Sequence, residues 1–393
     1  MQRPADEPAL VTTVAPSGRE RLVSLDVFRG MTIAGMLLVN DPGTWSHIYA
    51  PLRHADWHGW TPTDLIFPFF LFIVGITTWI SLEGRRARGA DEGELLRQIL
   101  RRGLIIIALG LLLNAFPFEP SRIASLRFTG VLQRIGLAYM FGALLAFRTS
   151  WRQQLGITAA LLIGYFLIMT LVPVPGEAAP AWELLDTKDR NLAAWVDRAI
   201  IGERHLWVGS RTWDPEGLLS TIPALGTVLL GVLAGRWIAT KQPLSERISG
   251  LFAVGSVVMV LGLMWNWVFP INKGLWTSSY VLFTAGMGAV TLATCMWVID
   301  RHRITWWTKP FVIYGVNPII AFVGSGMMAR LIYSIIKVPY DGATVSLQSA
   351  IYQSVYASWL TPKFASLMFA LTYVLIWLGI LWVLWKKRIF LKV

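Results

Sequence analysis

Long apolar runs separated by short polar connections recur along the whole chain. The runs are continuous rather than alternating with period two, which predicts membrane-crossing helices and not barrel strands. Lipid offers no partner to a backbone N–H or C=O, so a spanning segment must close its own hydrogen bonds. The pattern predicts ten spans, near 24–40, 64–82, 103–116, 129–147, 155–172, 214–238, 248–269, 276–299, 310–336 and 364–385. That is an all-α, polytopic membrane helix bundle. Residues 1–19 hold no apolar run and read as a disordered cytoplasmic tail without a signal-peptide core. Residues 20–393 read as one transmembrane domain, with a long polar loop at 173–217 that carries Trp182, Trp195, Trp207 and Trp213.

Turn and cap residues set several boundaries. Thr61-Pro62-Thr63-Asp64 opens the second span, and Pro42-Gly43 turns the chain after Asn40 and Asp41. In DPEGLLSTIPALG, Asp214 reads as an N-cap, Pro215 as the first helical residue and Glu216 as a first-turn acid. Asn317-Pro318 predicts a break in the ninth span, with freed backbone groups facing a cavity. Residues 346–358 are mildly amphipathic and predict a helix along the interface.

Composition supports the membrane class, since 55% of the 393 residues are hydrophobic and only 15% charged. In a soluble protein the net charge of +12 would suggest a nucleic-acid partner, but here the basic residues lie in short loops between apolar runs. Topology and anionic headgroups explain them, and no nucleic-acid role is expected. Twenty-one Lys and Arg fall on the side of both termini and 11 on the other, where five share one long loop. Both termini are therefore expected in the cytoplasm, with the histidine loop and the Trp-rich loop outside. The single cysteine, Cys295, excludes an internal disulfide, and no Cys/His cluster has zinc-site spacing.

Polar residues that are costly to keep in lipid mark candidate sites. Arg29, Arg134 and Arg330 lie inside apolar runs, where a charge costs about 2.5–3.5 kcal/mol on insertion scales. Arg29 is three residues from Asp26, so one helix face can carry both. The pair can simply anchor the span, or Arg29 can form an anion clamp that Arg21 extends. Gln133 and Arg134 stand side by side in VLQRIGLAY, which favours a polar cavity. Arg330 sits near a span end, where snorkelling suffices. Lys273 and Trp276, in the turn FPINKGLWTSSY, can meet a substrate or anchor the interface. The loop tryptophans can stack on sugar rings or belong to an interfacial belt.

His47, His54 and His58, three of the five histidines, fall within twelve residues between the first two spans. In RHADWHGWTPTD, His54 and His58 flank Asp56 at i, i+4, a metal-like spacing without a third ligand. Interfacial histidines need no reactive role. A histidine at the mouth of a polar cavity can also serve as acid, base or nucleophile, because imidazole titrates near neutral pH. Asp64 can orient such a ring or merely favour the helix start. Asn40 can cap its helix or hold a carbonyl group.

Taken together, SLDVFRG, LVN, RHADWHGWTPTDLIFPFFLFIVG, VLQRIG, DPEGLLSTIPA and INKGLWTSSY resemble the heparan-α-glucosaminide N-acetyltransferase family and its bacterial homologues, over about 21–317. The resemblance implies a multispanning enzyme that takes acetyl from cytosolic acetyl-CoA and N-acetylates a glucosamine amine on the opposite face. It implies His54 as the essential histidine, Asn40 as the family's asparagine ending the first span, and Arg21, Arg29 and Arg134, with Gln133 beside it, as ligands of CoA. The Asn40–His54 spacing is a few residues longer than in the lysosomal members. That points away from heparan and toward a free amino sugar or a cell-wall fragment as acceptor.

On this basis His54 deprotonates the sugar ammonium or carries the acetyl group itself, Asn40 donates to the carbonyl oxygen and Asp64 orients His54. Glu216, Lys273 and Trp276 are then expected at the acceptor. The partners implied are an amino-sugar acceptor, coenzyme A and the lipid bilayer, with no metal and with room for a homodimer. The location implied is a bacterial inner membrane with the His54 loop periplasmic. A sugar permease or flippase would line its path with the same residues, and an O-acyltransferase of a surface polysaccharide would differ only in acceptor. Of the three histidines, only His54 keeps a sharp role.

Overall fold

The computed structural model describes residues 22–391, so Arg21 and the tail expected at 1–19 lie outside the described residues. Among the described residues nine helices are long and apolar enough to cross a membrane: Val23–Asn40, Pro62–Arg86, Val131–Arg148, Trp151–Leu171, Thr221–Ile238, Leu244–Trp265, Ser278–Arg301, Pro318–Ile335 and Pro362–Lys386. The protein is an all-α integral membrane protein, and the one sheet described is a hairpin of Lys337–Tyr340 with Ala343–Ser346. The span expected near 103–116 is the second half of a longer helix, Glu92–Ala115. That helix starts back in the arginine-rich connection, on an Asp91 side chain that accepts from the Glu94 N–H at 3.0 Å.

The chain packs as two compact units. The first comprises the described residues up to His54, Thr61–Ile66 and the described residues from Thr294 on. Its centre is the pairing of Val23–Asn40 with the short helix Lys309–Val316. A Cβ on Gly30 would lie 1.7 Å from the Phe311 carbonyl oxygen, so only glycine lets the two backbones touch there. Val23–Asn40 begins with no side-chain cap from Leu22. Asp300, 276 residues away, supplies the carboxylate instead, accepting from the Ser24 backbone N–H at 3.4 Å and from the Ser24 hydroxyl.

The break at Asn317-Pro318 forms as expected, between Lys309–Val316 and Pro318–Arg330. The Asn317 side chain serves the C-terminal segment. It donates to the Ile389 carbonyl at 3.0 Å and accepts from the Leu391 N–H at 3.1 Å, tying down the C-terminal segment. The helix expected at 346–358 forms as Leu347–Ile351 running into a π-helical stretch, Tyr352–Ala357.

The second unit comprises Ala55–Trp60 and Phe67–Ala293. Glu92–Ala115 packs along Val131–Arg148, and Thr221–Ile238 packs against both Val131–Arg148 and Trp151–Leu171. The second span crosses Thr221–Ile238 at Gly75 and Gly231, where an added Cβ would sit 2.1 Å from the Val228 and Phe72 carbonyl oxygens respectively. Arginines close open carbonyls at one helix end: Arg86 donates to the Phe147 oxygen at 2.5 Å and Arg236 to the Thr149 oxygen at 2.9 Å.

Candidate functional site

His54 lies in a loop pinned on both sides. The Thr61 hydroxyl donates to the Arg53 carbonyl at 2.7 Å, and the Thr63 hydroxyl donates to the Pro51 carbonyl at 3.1 Å. His54 Nδ1 lies 2.6 Å from Asp64 Oδ1; the Asp64 side chain is 1% exposed and the His54 ring 45%. The other Asp64 oxygen accepts from the Thr61 backbone N–H at 3.0 Å, at the start of the turn Pro62–Leu65 that leads into the second span. One carboxylate therefore opens the helix and orients the ring. With Nδ1–H donating to Asp64, the imidazole lone pair resides on Nε2, the tautomer that a base or nucleophile needs.

The same unit places Asn40 at the end of the first span with an exposed side chain. Asp41, just beyond it, is buried, and burial pushes its carboxyl up to about 7. The turn that follows is held by the Tyr333 hydroxyl, which donates to the Pro42 carbonyl at 2.7 Å, and by the Gly43 N–H, which donates to the Ser366 carbonyl at 3.1 Å. The ion pair expected from the i, i+3 spacing is formed, with Arg29 Nη2 2.7 Å from Asp26 Oδ1. Arg29 Nε also donates to the Gly315 carbonyl at 2.5 Å. His47 is exposed.

A second polar cluster belongs to the other unit. Arg127 grips Asp214 with Nε at 2.8 Å and Nη2 at 2.5 Å, and reaches Glu216 at 2.6 Å. Asp214 also accepts from the Thr129 hydroxyl at 2.6 Å, the Trp207 N–H at 3.0 Å and the Glu216 N–H at 2.9 Å. Burial opposes charge on Asp214, but Arg127 and these donors outweigh it and hold the carboxyl below its usual range. This corrects the expected helix start. With its oxygens committed to Arg127, Thr129 and Trp207, Asp214 does not begin the helix, which starts at Thr221.

Asp197 is buried beside this cluster and accepts from the Leu218 N–H at 2.8 Å. Burial raises its carboxyl to about 7, against the pull of that hydrogen bond. A Cβ at position 217 would lie 2.0 Å from Asp197 Oδ2, so Gly217 is required for the carboxylate to fit.

Arg134, 1% exposed, sits deeper. Its Nη2 donates to Ser220 Oγ at 2.5 Å and to the Gly217 carbonyl at 3.2 Å. Its Nε and Nη1 are buried with no hydrogen-bond partner among the described residues, as is Gln133 Nε2. Orphaned buried donors cost about 1–3 kcal/mol each, so such a group points to an acceptor that the fold itself does not provide. The guanidinium lies 5.0 Å over the Trp276 ring. Trp276 is itself 1% exposed, packed edge-on against Phe67 and Tyr280, with Nε1 donating to Thr227 at 3.2 Å. Trp276 therefore forms the floor under Arg134. Lys273 is partly exposed in the preceding turn.

His58 is engaged by Asp186 at 2.9 Å and by Asn272 at 3.3 Å. Trp57 stands edge-on to Trp213, 5.3 Å between ring centres, and Trp207 continues the row at 5.7 Å. Sequence reasoning missed Asp300, Arg127, Thr129 and Asp197. The first three are recognised only through partners 85 or more residues away. Asp197 left a weak trace as the one acid in the otherwise amphipathic helix Leu192–Ile200. Among the described residues, no group of three or more His, Cys, Asp or Glu is placed to hold a metal ion.

Known proteins resemble this chain over most of its length. A family model described as the catalytic region of heparan-alpha-glucosaminide N-acetyltransferase matches residues 21–264. The heparan-alpha-glucosaminide N-acetyltransferase of Mus musculus is 27% identical over 96% of this chain and 61% of its own length. The protein of that name from Homo sapiens is 29% identical over 77% of this chain and 52% of its own length. The chain thus spans about half to three fifths of the length of the curated relatives it matches.

Proposed function

Because the chain belongs to the heparan-α-glucosaminide N-acetyltransferase family, we propose that it is a transmembrane enzyme moving acetyl from acetyl-CoA to the amine of a glucosamine-type sugar. The observation that carries this is the His54–Asp64 pair, 2.6 Å apart, with a buried carboxylate and a half-exposed ring. A sugar ammonium has no lone pair and cannot attack a thioester until it loses a proton. His54 Nε2 takes that proton, the freed amine adds to the thioester carbonyl, and the tetrahedral intermediate expels the CoA thiolate. Two protons leave the nitrogen in all: one ends on the thiolate, the other in solvent. Asp64 holds the productive tautomer and stabilises the imidazolium. Asn40, from the same unit, donates to the carbonyl oxygen, a role that contributes about 2.7–4 kcal/mol in known oxyanion sites. A two-step route with acetyl resting on Nε2 uses the same pair.

Arg29, Gln133 and Arg134 serve polar groups of the acyl donor, with Arg21 extending the basic patch. Glu216 and Lys273 border the acceptor, and Trp276 acts through the guanidinium it carries. The distribution of Lys and Arg supports cytoplasmic termini with the His54 loop on the outer, periplasmic face of a bacterial inner membrane. The test uses purified protein with labelled acetyl-CoA and glucosamine. Wild type should form N-acetylglucosamine, whereas His54→Ala should lose transfer yet bind acetyl-CoA by calorimetry. Wild-type turnover in that variant would sink the assignment, and a permease would yield no N-acetylated product at all.

A further inference from the structure

The unit that carries His54 also holds a groove of ≈ 370 Å³, lined by Lys309, Ile313, Leu375, Leu378, Gly379 and Trp382 among others. It follows the last turns of Pro362–Lys386, a helix apolar enough to span a membrane, so most of its wall belongs in hydrocarbon. Leu375 is 64% exposed and Trp382 40%, so the slot opens outward. Its other property is charge at one end. Lys309 lines the groove and lies 5.7 Å over the Trp385 ring, and Lys386 lies 4.1 Å over the Trp382 ring. Lys387 and Arg388 follow directly in the chain. Gly379 widens the slot, and a Cβ there would meet nothing within 4 Å.

We propose that this groove binds one anionic glycerophospholipid, an acyl chain lying along Ile313, Leu378 and Gly379 and the phosphate resting against Lys309 and Lys386. Apolar filling alone gives no selectivity, because an acyl chain is equally well solvated by bulk lipid. Selectivity comes from the headgroup. A lysine near the membrane surface favours an anionic over a zwitterionic lipid by about fivefold. Stacking on Trp382 and Trp385 restrains both ammonium groups beside the slot, so little side-chain freedom is lost when a phosphate arrives. None of these residues is among those placed in acetyl transfer above, so the lipid site and the reaction can fail separately.

The experiment is native mass spectrometry of the full chain, delipidated in detergent, with added phosphatidylglycerol or phosphatidylcholine of identical chains. Wild type should retain one phosphatidylglycerol with a preference of about 25-fold. Lys309→Gln with Lys386→Gln should bring the two lipids to near parity. Gly379→Phe should lower retention of both while melting at the wild-type temperature, since its Cβ meets no protein atom within 4 Å and its ring occupies the slot. Equal retention of both lipids by wild type would overturn the proposal, as would a preference that survives Gly379→Phe. So would a rise in melting temperature with inorganic phosphate equal to that with phosphatidylglycerol, or a wild-type dimer that Gly379→Phe dissolves.

Discussion

Two buried carboxylates, one in each unit, are partnered in opposite ways. In the first, Asp64 meets Thr61 and His54, both within ten residues, and the ring it orients is half exposed. In the second, Asp214 is enclosed by Arg127, Thr129 and Trp207, and the partners Arg127 and Thr129 come from 87 and 85 residues away. A carboxylate with one exposed, titratable neighbour is set to support proton transfer. A carboxylate saturated by distant donors holds loops together. Arg134 is a third case: buried like Asp214, but with two nitrogens that no described residue satisfies.

The largest effect that can break this contrast is on turnover. Asp64→Asn keeps the shape but not the tautomer of His54, so transfer should drop on the order of 10²–10⁴-fold. Stability should fall only by the value of a helix-start carboxylate, about 0.5–2 kcal/mol. A normal kcat in the Asp64→Asn variant would remove the orienting role. Next comes Arg127→Met, which strands a buried Asp214. Denaturant unfolding should show a loss of about 3–5 kcal/mol, and a loss below about 1 kcal/mol would mean that the cluster is not structural.

Arg134→Met sharpens the third case, because the expected effects diverge. Acetyl-CoA affinity should weaken by about 10- to 100-fold in calorimetry, the value of a hydrogen bond to a charged group. The melting temperature should hold or rise, since two unsatisfied donors are gone. Unchanged affinity would show that the orphaned nitrogens serve something other than the donor.

The smallest effect is on pH dependence. Burial raises Asp197 to about 7, and a carboxyl raised on folding binds its proton more tightly in the folded chain. Its contribution to stability is therefore full below the ordinary carboxylate range and is lost as pH rises through about 7. Asp41 is raised to about 7 as well and adds to the same limb. Asp214 is depressed, so its contribution is present above the ordinary range and lost on acidification. Melting temperature should thus decline from about pH 5 to 8, and Asp197→Asn should flatten its share of that decline without touching the acid limb. A pH profile identical to wild type would exclude the buried Asp197 as a cause.

What could be read in the sequence were the local devices. The first span, its end at Asn40, the Thr61-Pro62 entry and the Asp26–Arg29 pair all depend on neighbours within a few residues. The contact of His54 with Asp64, ten residues apart, lay within reach of the same reasoning, whereas the choice of His54 among the three loop histidines came from the family resemblance. Asp214-Pro215-Glu216 imitated a helix start because the local signals were right, yet Arg127 claimed the carboxylate from 87 residues away. Asp300 capping Ser24 was invisible, since nothing in MWVIDR marks it as the partner of a residue 276 positions earlier. The orphaned nitrogens of Arg134 were foreshadowed by a charge in an apolar run, but its resting place on Trp276 was not.

The loop around His54 is a frame with its own fasteners. Thr61 closes on Arg53 and Thr63 on Pro51, so the segment between them keeps its geometry whatever precedes it. Residues 45–49 lie outside those fasteners, between the tie of Thr44 to Ser366 and the His54 ring. A change of length by a residue or two in that stretch should therefore leave both fasteners, and with them the His54–Asp64 contact, in place.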